Sequence, residues 1–329
     1  MSDRFRTTLK PTKSSFLIEY GHHILAMGSC FADRMGKRMT QHKLNMMANP
    51  LGIAYHPMAI GRLLELAASK GMPDLTFAPH LEQWVSWDLH SRYNHQDKTE
   101  LLASFQADVA SVQQRLASLD GLIVTFGTAY VYRYLPSEQW VNNNHRFPTQ
   151  DFQGELLPSQ VIVDYWSSLL QKLRTARPEL QVIFTLSPVR HIRHTLPLNS
   201  VSKAILRVAI HELSSIPGNH YFPAFEMMVD DLRDYRFYGE DMLHPTPVAE
   251  DYLYENFCQQ FFSDKAQKLQ DQVVSVRQDL AHRPRQEGSS AHRAFLLKLQ
   301  GKLEQLQAKG LDYTREMSEI RRQILHFKA

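Results

Sequence analysis

Three short apolar runs mark the first two thirds of the chain: HILAM at 23–27, GLIVTF at 121–126 and QVIFTL at 181–186. Each stops at a small or turn-forming residue. Runs of this length without alternation predict strands buried on both faces, as in a parallel sheet. Elsewhere the apolar spacing changes to three and four. That predicts helices over 31–44, with Phe31, Met35 and Met39 inward, and over about 159–176, 200–214 and 247–262. Strand alternating with helix predicts an α/β fold: a three-layer sandwich whose central, mostly parallel sheet is covered on both faces. Residues 45–120 are less regular, and no internal repeat is present.

Beyond residue 263 the pattern becomes purely helical. Leu269, Val273, Val276 and Leu280 form one stripe; Leu296, Leu299, Leu303 and Leu306 a second; Tyr313, Met317, Ile320, Ile324 and Phe327 a third. Stripes this narrow predict two or three amphipathic helices meeting along a seam. The breaks fall at HRPRQEGSSAH and KGLD. The chain therefore divides into a main domain, 1–263, and a C-terminal helical extension, 264–329. The extension reads as a cap on the main domain or as an arm through which a homodimer would form.

Charge changes little in this picture. The extension holds 13 Lys and Arg against 8 Asp and Glu, the rest 24 against 26, and the whole chain is +3. The basic residues of the extension are interspersed around the seams, so no nucleic-acid partner is expected. Two cysteines, Cys30 and Cys258, cannot build a disulfide framework and suit a reducing compartment. The opening MSDRFRTTLKPTKSSF lacks the apolar core of a signal peptide, and no stretch nears the ~20 apolar residues of a membrane span. The expectation is a cytoplasmic protein without a membrane partner.

Polar clusters lie where the predicted strands end: GSC, GTAY and SPVRH. Ligands of open parallel sheets collect at those ends. Ser29 would sit at a strand-to-helix turn, where unpaired N–H groups favour an oxyanion; a helix cap is the plainer reading of the same serine. Cys30 is an alternative nucleophile, although a residue opening a helix is expected to pack inward. In FYGEDMLHPTPVAEDY, the D-x-x-H spacing lets Asp241 hold one ring nitrogen of His244 and leave the other free to act as a base. HIRH at 191–194 imitates a metal-binding pair, but no carboxylate completes it. Neither a metal nor a cofactor is expected.

Taken together, GSCFADRMG, NPLGIAYHP, WVSWDLHS, FGTAYVY, NNNHRFPTQDF, SPVRHIRH with NSVSKAIL, and YFPAFEMMVDDLRDYRFYGEDMLHP resemble, in order, the blocks of the GSCFA family, a branch of the SGNH (GDSL-like) hydrolases. The resemblance covers about 15–260. It implies an SGNH/flavodoxin-like fold and a serine esterase, with Ser29 as nucleophile and Asp241 and His244 as its relay. It places the oxyanion hole at Ser29, Gly52, Gly127 and Thr128. An asparagine that the superfamily offers in its third block is absent here, with Thr128 as a substitute donor. His90, His145, Arg190 and His191 fall on loops over the strand ends and are expected in a substrate pocket.

The function expected from these residues is acyl-ester hydrolysis, or acyl transfer, on a saccharide or a small acylated metabolite. A ligand-binding module on the same scaffold is the alternative. Trp84, Trp87 and Trp140 would stack on a sugar or fill a core, and DDLRDYRFY would bind a sugar ring or form buried Asp–Arg pairs.

Overall fold

A computed structural model describes residues 7–69, 71, 74–284 and 288–327. Residues 1–6 of the opening segment and 285–287 of the HRPRQEGSSAH break lie outside the described residues. The first half runs β1 (Ile24–Gly28), α1 (Cys30–Gln41), β2 (Met46–Ala48), α2 (Pro57–Ala68), β3 (Phe77–His80), β4 (Gln83–Ser86), α3 (Lys98–Ala117) and β5 (Gly121–Phe126). It continues with β6 (Tyr130–Tyr134), β7 (Gln139–Val141), β8 (Phe152–Leu156), α4 (Ser159–Ala176), β9 (Gln181–Leu186), α5 (Leu196–Ser214) and β10 (Asn219–Phe222). A short turn α6 (Ala224–Glu226) leads through an irregular segment to α7 (Pro247–Phe261), α8 (Asp264–Ala281), α9 (Ser290–Gln307) and α10 (Thr314–His326).

The sheet has the order β10-β9-β5-β1-β2, with every neighbour parallel. Its strands alternate between two cores. Leu25, Met27, Leu122, Val124, Phe126, Val182, Phe184 and Leu186 face α2 to α5. Ile24, Ala26, Ile123 and Ile183 face α1 and α7 on the other side. Because successive strand residues point to opposite faces, an unbroken apolar run can fill both layers at once. The result is the expected three-layer, flavodoxin/SGNH-like arrangement.

Residues 45–120 are more ordered than their pattern implies. They hold β2, the β3–β4 hairpin and two long helices. The α3 helix buries Leu101, Phe105, Val109 and Val112, whose helical spacing is present in the sequence. By contrast, α2 is apolar almost all round, so it carries little periodic signal. A small antiparallel sheet, β7-β6-β8, stands beside the main one and is anchored by Trp140, whose Nε1 donates to Glu155 Oε1 at 2.6 Å.

All three stripes of the extension meet in a core of their own around Leu303, Tyr313 and Ile320. The helices are packed on the main body: Ala266 joins the α1–α7 core, Lys43 pairs with Glu316 at 2.7 Å, and Arg277 meets His42 at 2.6 Å. No helix among the described residues is long and apolar enough to cross a membrane.

What matters most for the site is how β1 ends. Gly28 has φ +139, and a Cβ there would fall on the Thr125 carbonyl of the neighbouring strand. Both facts demand glycine. Gly28→Ala is expected to lower stability by about 2–4 kcal/mol. Urea unfolding of the variant checks it, and an unchanged midpoint contradicts it.

Candidate active site

The turn after β1 is gripped on every side. Gly28 N–H donates to Asn49 Oδ1 at 2.8 Å and Ser29 N–H to Thr125 O at 3.3 Å. Asn49 Nδ2 reaches Ser29 O at 3.4 Å, and Ala54 N–H donates to Gly28 O at 3.2 Å. Ser29 is fully buried and its Oγ accepts from Phe31 N–H at 3.3 Å, capping α1. Capping keeps the hydroxyl inside, while Cys30, the first helical residue, is only partly buried. Ser29 thus takes the plainer of its two expected roles, the helix cap, while Cys30 is less buried than expected of a residue opening a helix.

Opposite Cys30 stands the loop before α7. Asp241 Oδ1 accepts from the N–H groups of Leu243 and His244, both at 3.0 Å, and Oδ2 meets His244 Nδ1 at 2.5 Å. Gly239 N–H donates to His244 O at 2.7 Å and closes the loop on itself. His244 Nε2 then lies 3.6 Å from Cys30 Sγ. The expected Asp–His partnership is present, and its free nitrogen meets sulfur where Ser29 was expected.

Electrostatics around the thiol are mixed. Burial pushes the Cys30 thiol up, while the Arg34 charge, the N–H groups of Phe31 and Cys30, and Lys203 pull it down. Asp241 is held far below the usual carboxylate range by the N–H and ring of His244. Lys203 is buried, donates to Gly127 O at 2.9 Å and Ser187 O at 2.7 Å, and is pushed down to about 7 by burial, then by Arg190. His191 is lowered to about 4 by burial, with Lys203 and His244 adding to it. It is therefore neutral near pH 7, and it packs edge-on against Tyr55.

The expected oxyanion donors are already engaged. Besides Ser29 N–H, Gly52 N–H donates to Asn49 O at 2.9 Å, and Gly127 and Thr128 N–H both donate to Tyr55 O, at 2.8 and 3.1 Å. Thr128 Oγ1 sits 3.2 Å from Ser202 Oγ and accepts from Tyr130 N–H. An N–H already in a good hydrogen bond cannot hold a developing charge without losing that bond. Cys30 N–H has no backbone acceptor among the described residues.

Of the expected pocket residues, His191 lies near His244 and over Gly127. His145 is buried with Nε2 at 2.7 Å from Ser86 O and its ring beside Trp87, a structural position. His90 caps a short turn through Nδ1 and packs on Gly52. Arg190 reaches Ser200 Oγ at 3.3 Å. In HIRH the two histidines diverge, His194 stacking on Tyr130, and no metal-binding group of three occurs among the described residues. The Asp–Arg pairs of DDLRDYRFY are exposed, not buried. Trp87 is a core residue.

Sequence reasoning missed Asn49, Arg34 and Lys203. Asn49 lies inside NPLGIAYHP and Lys203 inside NSVSKAIL, so both stretches were noticed without the residue. Arg34 follows Cys30 by one helical turn, a spacing that becomes meaningful only once Cys30 lies beside His244.

A comparison with protein families matches residues 23–257 to the GSCFA family and residues 273–326 to the C-terminal domain of GSCFA domain proteins. The chain belongs to the GSCFA family. Comparison with curated proteins finds no match. Among solved structures, this GSCFA chain is similar to a Streptococcus pneumonia protein provisionally described as a platelet activating factor, at 12% identity and TM-score 0.39, covering 72% of this chain and 83% of that one. It is also similar to a Corynascus thermopiles (Myceliophthora fergusii) carbohydrate esterase family 2 enzyme with a carbohydrate binding domain, at 12% and 0.36, covering 75% and 67%. An acetyl xylan esterase from the rumen bacterium Butyrivibrio proteoclasticus matches at 13% and 0.35, covering 74% and 64%.

Lys203 gives this site a pH signature. Its folded pKa lies below the unfolded value near 10.4. The unfolded chain therefore binds more protons between about pH 7 and 10, and this residue makes stability rise across that window. Replacing it by Met is expected to flatten the rise. Urea unfolding at pH 7 and 10 checks this, and an unchanged slope in Lys203→Met contradicts it.

Proposed function

We propose that this protein catalyses acyl transfer from an ester through a thiol nucleophile, Cys30, with His244 as general base and acid and Asp241 as the group that orients it. The observation that carries this reading is the 3.6 Å approach of His244 Nε2 to Cys30 Sγ, with Asp241 on the opposite ring nitrogen. A nucleophile, a base within reach and a third group behind the base is the arrangement that nucleophilic catalysis requires.

In the first half-reaction, His244 Nε2 takes the thiol proton as sulfur attacks the ester carbonyl carbon. The tetrahedral intermediate collapses with loss of the alcohol, whose oxygen receives the proton back from His244. A thioester on Cys30 remains. In the second half, His244 takes a proton from the incoming hydroxyl, which attacks the thioester and returns the sulfur as thiolate. Water as that hydroxyl gives hydrolysis, and a sugar hydroxyl gives acyl transfer to a saccharide. Asp241 stabilises the imidazolium in both halves. Cys30 N–H, in the first turn of α1, is the donor available to the oxyanion, aided by the helix dipole.

The engagement of the other four N–H groups favours one rival, a module that holds its ligand without turning it over. Small aryl acetates separate the two. The expected result is a Cys30-linked acetyl adduct by mass spectrometry in the wild type and in Ser29→Ala, none in Cys30→Ala, and acylation slowed at least about 100-fold in His244→Ala. An adduct that survives Cys30→Ala removes the thiol from its role. No adduct at all in the wild type favours the binding module.

A further inference from the structure

Cys30 opens α1 and Arg34 follows it by four residues, so both side chains lie on one face of the helix, one turn apart. Arg34 Nη1 meets Glu250 Oε1 at 2.5 Å. Glu250 Oε2 accepts from Arg38 Nη2 at 3.1 Å, and Arg38 also holds Asp251 and the Pro247 carbonyl. Glu250 belongs to the first turn of α7, just beyond the loop that carries Asp241 and His244. This ion pair therefore links the helix that bears the thiol to the helix that follows the base. The Glu250 side chain is only 10% exposed, the Arg34 side chain 40%. This nearly buried carboxylate is thus held by two guanidinium partners.

His244 Nε2 lies 3.6 Å from the sulfur, and the charges of Arg34 on α1 and Lys203 on α5 act on it, as the thiol acts on Tyr55 in the loop before α2. Arg34 is the strongest of the charges favouring the thiolate, and it is itself acted on by Glu250, Cys30 and Asp241.

We propose that the Arg34–Glu250 pair sets the reactivity of Cys30: Arg34 supplies the positive charge that favours the thiolate, and Glu250 limits how much of that charge the sulfur feels. The proposal deepens the reading of Cys30 as nucleophile and rests on it. It makes Arg34 and Glu250 positioning residues with opposite electrostatic effects. A latch between α1 and α7 without an electrostatic role would behave differently, since loss of either partner breaks the same ion pair and would disturb Cys30 in the same direction.

The test measures the pH dependence of Cys30 alkylation by iodoacetamide on the full chain, with peptide mapping to separate Cys30 from the buried Cys258. Arg34→Met is expected to move the midpoint up by about half a pH unit, a modest figure because an exposed guanidinium is well screened. Glu250→Gln is expected to move it down by a similar amount, and Arg34→Lys to stay near the wild type. Both shifts are expected to contract in 1 M salt, where the screening length is about 3 Å. Shifts in the same direction, or none, overturn the proposal. If thermal melting shows Arg34→Met unfolded, Glu250→Gln decides alone: a downward shift upholds the proposal, and an upward or absent shift overturns it. Alkylation needs no ester, so opposite shifts without an acetyl adduct count against the proposed acyl chemistry and leave this electrostatic control standing.

Discussion

The Gly28–Ser29 peptide is the constraint on which the rest of this structure depends. Its N–H donates to Thr125 O of the adjacent strand and its carbonyl accepts from Ala54 N–H of the following loop, while Asn49 holds the Gly28 N–H and the Ser29 carbonyl on either side of it. No side chain other than hydrogen fits at Gly28, because the Thr125 backbone occupies the space. Next to this clamped turn α1 begins with Ser29 buried as its cap and with Cys30, partly buried, as its first residue. A serine hydroxyl used as a cap satisfies a donor that would otherwise be lost inside the protein. The same bond engages the hydroxyl inside the protein, where Ser29 is fully buried.

Around this turn the sheet does the gathering. β1, β5 and β9 are adjacent and parallel, so the residues that follow them, Ser29, Gly127 and Ser187, come together at one edge of the molecule. Lys203 of α5 ties two of those ends together through their carbonyls. Lys203 has no carboxylate partner among the described residues, and burial of such a lysine is costly, which lowers its proton affinity. Burial first, and then the Lys203 and His244 charges, keep His191 neutral, while His244, backed by Asp241, stands beside the sulfur.

The α7 side supplies the other half. Thr246 and Pro247 start that helix, and the loop before it is closed by its own backbone bonds and by Asp241 accepting two N–H groups. Such a loop holds a ring in place without help from the sheet. Its position relative to α1 is then set by packing of Phe31 and Met35 against Leu253 and Phe257, and by the Arg34 and Arg38 bonds to Glu250.

Much of this was determined by the amino-acid sequence alone. The three central strands, four of the helices that cover them (α1, α4, α5 and α7) and the three seams of the extension follow from local periodicity, because a buried strand and an amphipathic helix impose different spacings on neighbouring residues; α2 and α3 are not among the expected helices. The D-x-x-H pair is equally local, being a single turn of chain. What only the tertiary structure decided is which of two adjacent residues, Ser29 or Cys30, meets the histidine. That choice depends on the N–H partners of a turn and on a helix more than two hundred residues away in the chain, and periodicity carries no information about either. The engaged N–H groups of Gly52, Gly127 and Thr128 belong to the same class of fact. A backbone donor looks identical in every sequence, and only the arrangement of distant segments determines whether it is free.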